Sequence, residues 1–388
     1  MLQLESSTRV TTTGLYVHVP FCVRKCGYCD FYSLPQPKDK AAPDADRFLA
    51  ALARELELSV PRDFRARTVF VGGGTPTELS APDLARLLEM LAPFIPADVE
   101  EWTVEANPGT LTREKALLLQ AAGVTRVSMG VQSLDPESLA FLGRIHSAEE
   151  AVASYRLLRE LGFTNLNLDL IFGIPGSTRE RLARDVAAVA ALAPEHISCY
   201  CLLFEEGTPL FKLRERGLIF EVDEEEELAQ YKLVREVLGG AGYAQYEISN
   251  FSRPGRECRH NLLYWGPGEY HGVGPSAHGH VGGVRAANVR DLGRYCGELL
   301  DGSRLPREFE ERLDPEPKAR EALVMGLRRI EGVSRARFRD ETGLDLDGLC
   351  GATIDRLVGQ GVLERAGDRV RLTERGLFVS DGVFAELV

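Results

Sequence analysis

Three cysteines crowd into the segment Cys22-Val-Arg-Lys-Cys26-Gly-Tyr-Cys29, directly after the apolar run Leu15–Val19. Three thiolates on one loop can wrap a single small cluster or a single ion. A cubane [4Fe–4S] cluster has four irons, so three protein ligands leave one iron open. An open metal position is where a substrate or cosubstrate binds. A structural zinc ion takes four protein ligands, usually from two paired knuckles. No second pair of that kind exists here, although His18 or Asp30 lies near enough in the sequence to complete a site. The spacing favours the open cluster. The remaining cysteines are scattered. Cys296 and Cys350 read as small buried apolar residues, and Cys199-Tyr-Cys201 reads as one core thiol and one surface thiol on a strand. Cys258 stands alone.

These residues need a scaffold. From Gly14 to about Tyr200 short β-rich runs alternate with amphipathic helical patterns. The strands are expected at Leu15–Val19, Thr68–Val71, Trp102–Glu105, Arg126–Met129, Leu166–Asp169 and His196–Tyr200. The helices are expected at Ala45–Leu58, Asp83–Leu91, Thr112–Ala122, Ala148–Leu161 and Thr178–Leu192. Thr112 and Ser147 are good N-caps with acids close behind, and Gly123 and Gly162 suit helix C-termini. Six β–α repeats imply an α/β fold with a parallel sheet and right-handed crossovers. Six are too few for a closed eight-stranded barrel, so a partial (β/α)6 barrel is favoured over an open doubly wound sheet. Glu105, Gln132 and Asp169 sit at or just after strand C-terminal ends, where parallel α/β proteins place ligands. Carboxylates there suit ribose hydroxyls or an ammonium group.

The chain then changes character. Residues 202–314 carry the acidic run Asp223–Glu227 at the head of a helix, followed by aromatic and glycine-rich loops. This is read as a central α+β extension. Residues 315–388 read as helices followed by a hairpin split at Ala366-Gly367-Asp368, a winged-helix-like order. Three domains are therefore expected, at 1–201, 202–314 and 315–388, in keeping with a length of 388 residues.

The net charge is −12, which argues against holding nucleic acid by phosphate neutralisation. Acids and bases nearly balance in the C-terminal module, which points to packing or partner docking rather than DNA. No apolar run reaches the length of a membrane helix. The polar N-terminus lacks the pattern of a secretory signal, so a cytoplasmic location is expected. Reduced thiols there favour metal or redox roles for clustered cysteines.

The CxxxCxxC spacing resembles the signature of the radical S-adenosylmethionine (SAM) superfamily. Gly72-Gly73-Gly74-Thr75-Pro76 strengthens the likeness, because the corresponding glycine motif meets the methionine group of SAM. A strand end without side chains lets the backbone approach a ligand. More specifically, the chain resembles the oxygen-independent coproporphyrinogen III oxidase family. Matching pieces are Tyr16-Val-His-Val-Pro-Phe-Cys22, Glu105-Ala-Asn-Pro108, Ser128-Met-Gly-Val-Gln-Ser133, Gly143-Arg144-Ile-His146 and Asn167-Leu-Asp169. The resemblance implies a radical SAM barrel in which Cys22, Cys26 and Cys29 ligate the cluster. It implies that Tyr16, Tyr28, Gly73, Gly74, Thr75 and Glu105 line one SAM. Gln132, Arg144 and Asp169 occupy positions that contact SAM in the oxidase, including its second SAM.

Two features turn the reading toward a subgroup. Phe31 stands where the oxidase resemblance calls for a fourth cysteine. His260-Asn-Leu-Leu-Tyr264-Trp265 resembles the HNxxYW mark of the radical SAM heme chaperones, the HemW-like proteins. Imidazole is a good axial ligand for heme iron, and aromatic rings can cover a porphyrin face. The resemblance thus implies a carrier of [4Fe–4S], SAM and heme, with His260 contacting heme. It would deliver heme to acceptor proteins, with respiratory, membrane-associated ones as candidates, and it leaves room for a homodimer. The alternative is an oxidase that decarboxylates coproporphyrinogen III.

Overall fold

A computed structural model describes residues 13–35, 43–302 and 304–388. The stretch inspected for a secretory signal falls largely within 1–12, outside the described residues.

The six expected strands form: β1 (Gly14–Val19), β2 (Thr68–Gly73), β3 (Glu101–Ala106), β4 (Arg126–Gln132), β5 (Leu166–Phe172) and β6 (His196–Cys201). They pair in parallel, in sequence order. Between them run α1 (Pro43–Ser59), α2 (Ala81–Leu91), α3 (Arg113–Ala122), α4 (Pro136–Leu142), α5 (Ala148–Glu160) and α6 (Arg179–Ala191). The local signals work as chemistry requires. Thr112 accepts the Lys115 N–H, Ser147 and Glu150 form a capping box, and Gly123 ends α3 in the left-handed region. The helix α4 lies where the sequence pattern suggested nothing; it is only seven residues long, too short for a periodic signal.

Strand alternation separates two environments. Leu15, Val17, Val19, Val69, Val71, Trp102 and Val104 are fully buried in the main core with the helices. The alternate residues meet one another on the concave side. Tyr16 packs beside Phe70, and Asn167 bridges Ser128 and His196 at 2.8 and 2.6 Å. A parallel sheet with one polar inner face is a partial barrel, not an open doubly wound sheet.

The central segment extends this sheet at both edges. It contains α7 (Pro209–Glu215), α8 (Glu224–Gly240), β7 (Ala244–Glu247), β8 (Asn250–Ser252), α9 (Arg259–Tyr264), β9 (Tyr270–Val273), β10 (His278–Val281), β11 (Val284–Asn288), α10 (Leu292–Leu300) and β12 (Arg307–Glu311). β9 joins β1 in parallel, and β10, β11 and β12 follow antiparallel. On the far edge β8 and β7 add to β6. The result is one sheet of 12 strands.

The C-terminal part holds α11 (Pro315–Leu327), β13 (Val333–Ser334), α12 (Arg335–Thr342), α13 (Leu346–Gly359), β14 (Leu363–Ala366) and β15 (Arg369–Leu372), then two short helices. Its three strands form a separate antiparallel sheet, which with the helices before it gives a winged-helix-like unit. Arg328 lies 4.5 Å over the Trp265 ring and ties this unit to the central segment. No helix among the described residues is long and apolar enough to cross a membrane.

Two cysteine expectations are settled by burial. Cys296 and Cys350 are buried. Cys199 and Cys201 do not face opposite sides: residues two apart share a strand face, and partly buried Cys201 packs against the same core that holds Cys199.

Candidate functional site

The cysteine loop leaves the C-terminal end of β1 and is pinned from both sides. Gly27 donates to the Leu142 carbonyl at the end of α4 (3.1 Å) and accepts from the Leu210 N–H of α7 (2.9 Å). Cys22, Cys26 and Cys29 are all partly buried. Burial raises Cys22 and pushes Cys29 up to about 11, and the neighbouring thiols add to both shifts. Among the described residues no three His, Cys, Asp or Glu side chains converge on a single-ion site. His18 is unavailable as a fourth ligand. Its Nε2–H donates to the Tyr32 carbonyl (2.8 Å) and its Nδ1 accepts from the Tyr16 hydroxyl (3.0 Å). Three neighbouring thiols on one loop, with His18 engaged elsewhere, suit a cluster whose ligands sit at separate corners.

A hydrogen-bonded chain joins two of these thiols. The Thr75 hydroxyl lies 3.5 Å from Cys22 Sγ and accepts from Asn107 Nδ2 at 2.6 Å. Asn107 Oδ1 accepts from Arg144 at 2.6 Å, and another Arg144 N–H points at Cys26 Sγ from 3.4 Å. Both sulfurs therefore face a hydrogen-bond donor. The Arg144 Nε–H is buried with no partner among the described residues, a donor left for a bound group. Asn107 was not singled out from sequence. Its signal was there, inside Glu105-Ala-Asn-Pro108.

The glycine run is explained position by position. A Cβ on Gly72 would meet the Glu105 carboxylate at 2.6 Å, and one on Gly74 would meet the Phe21 and Val19 carbonyls. Gly73 has φ +97°, and a Cβ there would enter the His18 ring. The Gly73 N–H donates to Glu105 Oε2 at 3.1 Å. Glu105 is partly buried, and desolvation with the nearby Asp169 raises its pKa to about 8. Burial also raises Asp169, which accepts from Asn167 Nδ2 at 2.7 Å. Tyr16 approaches Glu105, while Tyr28 approaches Arg144, Cys26 and Asp169. Gln132 has φ +69°, beside the irregular pairing of β4 with β5. A non-glycine residue held there marks strain that the surrounding structure must support. Tyr16, Tyr28, Thr75, Glu105, Arg144 and Asp169 thus converge around the cluster loop and the barrel interior, with Gln132 at the edge beside Gly130.

His260 lies elsewhere. Thr68, Glu101 and Arg126 begin β2, β3 and β4, so they mark the N-terminal floor of the barrel, opposite the cysteine loop. Helix α9 plugs that floor. Glu101 accepts the Arg259 and His260 N–H groups, each at 3.0 Å. The His260 ring is fully buried. Its Nδ1 pairs with the Thr68 hydroxyl and its Nε2 with the Tyr264 hydroxyl, each at 2.9 Å. The structure thus places His260, expected to contact heme, with both ring nitrogens engaged and outside the lining of the large cavity. Burial also lowers its pKa to about 3. Cys258, the lesser candidate, is buried against Glu101.

A cavity of about 860 Å³ opens between the cluster loop, the aromatic end of the HNxxYW segment, β10–β12 and α11. Phe31, Tyr264, Trp265, Tyr270 and Phe309 face it. Phe31, in the place expected for a fourth oxidase cysteine, is 68% exposed at its rim.

Residues 16–189 match the Radical SAM superfamily and residues 313–379 the HemN C-terminal domain. The heme chaperone HemW of Bacillus subtilis (strain 168) is 36% identical over 376 residues, covering 95% of this chain and 97% of that one. The chain belongs to the HemW family of radical SAM proteins. HemW of Mycobacterium tuberculosis (strain ATCC 25618 / H37Rv) is 39% identical over 378 residues, covering 97% and 94%. Coproporphyrinogen III oxidase (HemN) from Escherichia coli, a radical SAM enzyme, shares the fold with a TM-score of 0.84 at 23% identity, covering 97% of this chain and 90% of that one. Membership of the superfamily implies a [4Fe–4S] cluster and SAM, and the donor set of the cysteine loop fits that pair. Cys22, Cys26 and Cys29 would hold the cluster, and the open iron would bind SAM.

Proposed function

We propose that this chain is a heme chaperone: it binds a [4Fe–4S] cluster on Cys22, Cys26 and Cys29, binds SAM beside it, and carries heme to an acceptor protein. Tyr16, Tyr28, Gly73, Gly74, Thr75 and Glu105 line the SAM, with Arg144, Asp169 and Gln132 around them. The partly buried Glu105 and Asp169 meet cationic or hydroxyl groups, and the glycines admit the ligand to the backbone. The acceptors are heme proteins, with respiratory, membrane-associated ones the first to test, and delivery takes place in the cytoplasm.

The observation that carries the heme assignment is the large aromatic cavity beside the cluster loop, within the size range of ligand sites for extended organic molecules. The aromatic side chains in its lining suit a tetrapyrrole. The test uses anaerobic, cluster-reconstituted protein with SAM. Heme should bind and pass to an apo-acceptor in a pull-down or activity assay. Added coproporphyrinogen III should give no protoporphyrinogen by mass spectrometry. Several turnovers of product would instead make this chain the oxidase, and absence of heme binding would overturn the carrier reading.

A further inference from the structure

The cavity floor has a register that points to an iron ligand. His278 and His280 lie two apart on β10, so both side chains project from one face, and both line the cavity. Across the sheet, Tyr270, His280 and Arg285 form one row, and His278, Ala287 and Phe309 form the next. The platform is thus two imidazoles among aromatic and small residues, with α11 opposite.

We propose that His280 is the axial ligand of heme iron in this cavity, with Lys318 and Arg290 receiving the propionates. This rests on the heme reading above and assigns its ligand. The His280 ring lines the cavity from β10, with the Gly268 carbonyl near it. A ring N–H held by a backbone carbonyl leaves the other nitrogen available to a metal, the arrangement found for metal-bound histidines. Burial and the nearby Lys318 keep the ring neutral, as ligation requires. His278 packs edge-on against Phe309, with centroids 5.9 Å apart, and serves as part of the wall. Lys318, on α11, forms no ion pair among the described residues. Arg290 stands 6.0 Å from the Tyr32 ring at the cluster-loop side. Arg285 is already held by Glu311 and Glu321 and is not assigned to a propionate. His260 does not border this space.

The test is titration of the full chain, cluster-loaded and SAM-bound, with hemin. The wild-type spectrum should carry the Soret and low-temperature spin signature of histidine-ligated iron. His280→Ala should lose that signature and weaken binding by at least about tenfold. His280→Gly should recover it when imidazole is added, which a merely misfolded protein would not do. Lys318→Glu should weaken binding without moving the Soret band. His260→Ala should keep the wild-type Soret position. An unchanged spectrum and affinity in His280→Ala would overturn the ligand assignment while leaving heme carriage intact. Failure of the wild-type protein to bind hemin would overturn the functional reading itself, and the assignment with it.

Discussion

Asn107 offers a sharp test of the chain that links Cys22 to Cys26. Asn107→Ala removes the acceptor of an Arg144 N–H at 2.6 Å and the donor to Thr75 at 2.6 Å. A hydrogen bond to a charged group contributes about 1.5–3 kcal/mol and a neutral one about 1 kcal/mol. The full sum is an upper bound, because Arg144 keeps its 2.6 Å bond to the Gly130 carbonyl and Asn107 is only partly buried. A loss of about 2 kcal/mol follows, or roughly a 30-fold change in the unfolding constant. Thr75 and Arg144 also lose the group that holds them against the two sulfurs. Anaerobic denaturant titration of the cluster-loaded protein should therefore show the stability loss, and iron analysis after gel filtration should show lowered cluster retention. Asn107→Asp keeps an acceptor for Arg144 and should recover part of the stability. A stability change under about 0.5 kcal/mol, with iron content and SAM affinity both unchanged, would refute the reasoning that this chain supports the cluster loop.

Other consequences are equally direct. His260→Ala should destabilise the fold by about 2–4 kcal/mol in thermal or denaturant unfolding, because it empties a buried site and strands Thr68 and Tyr264. Gly73→Ala should impair SAM binding measured by equilibrium dialysis and cost at least about 1–2 kcal/mol for its left-handed backbone alone, before displacing His18. Glu105 has a folded pKa of about 8 against an ordinary 4.5. Between those values the unfolded chain releases a proton that the folded chain keeps, so the stability of the SAM-free protein should fall as pH rises through this window and level off above it. Glu105→Gln should flatten that decline in denaturant titrations across the same pH range.

Much of the scaffold was legible because its signals are local. Alternating apolar residues marked each of the six parallel strands, and Thr112, Ser147 and Gly123 marked helix ends through hydrogen bonds made within one turn. The glycine run was legible for a similar reason: three successive residues without Cβ atoms are costly in a strand unless something must approach closely. What stayed hidden depends on distant partners. The strand β9 pairs with β1 across more than half of the chain, and its short run carries no mark of that partner. Asn107 looked like one polar residue in a loop until Thr75 and Arg144 came to either side of it. Cys199 and Cys201 required only the two-residue period of a strand to be placed on one face.

His260 shows the division most clearly. The sequence by itself determined that an imidazole stands four residues before a tyrosine, in a segment rich in aromatics, within a chain whose three clustered cysteines call for an iron–sulfur cluster. It also determined the α/β repeat that carries those cysteines to a strand end. Only the tertiary structure decided which way the ring points. Glu101 and Thr68, far away in the chain, capture the start of α9 and one ring nitrogen, and Tyr264 takes the other, so the ring becomes part of the barrel floor. The cavity instead receives His278 and His280, from a strand that reaches the sheet through β9 and its long-range pairing with β1. A residue's type is set by the sequence, but its free lone pairs are set by which neighbours the fold brings within hydrogen-bonding distance.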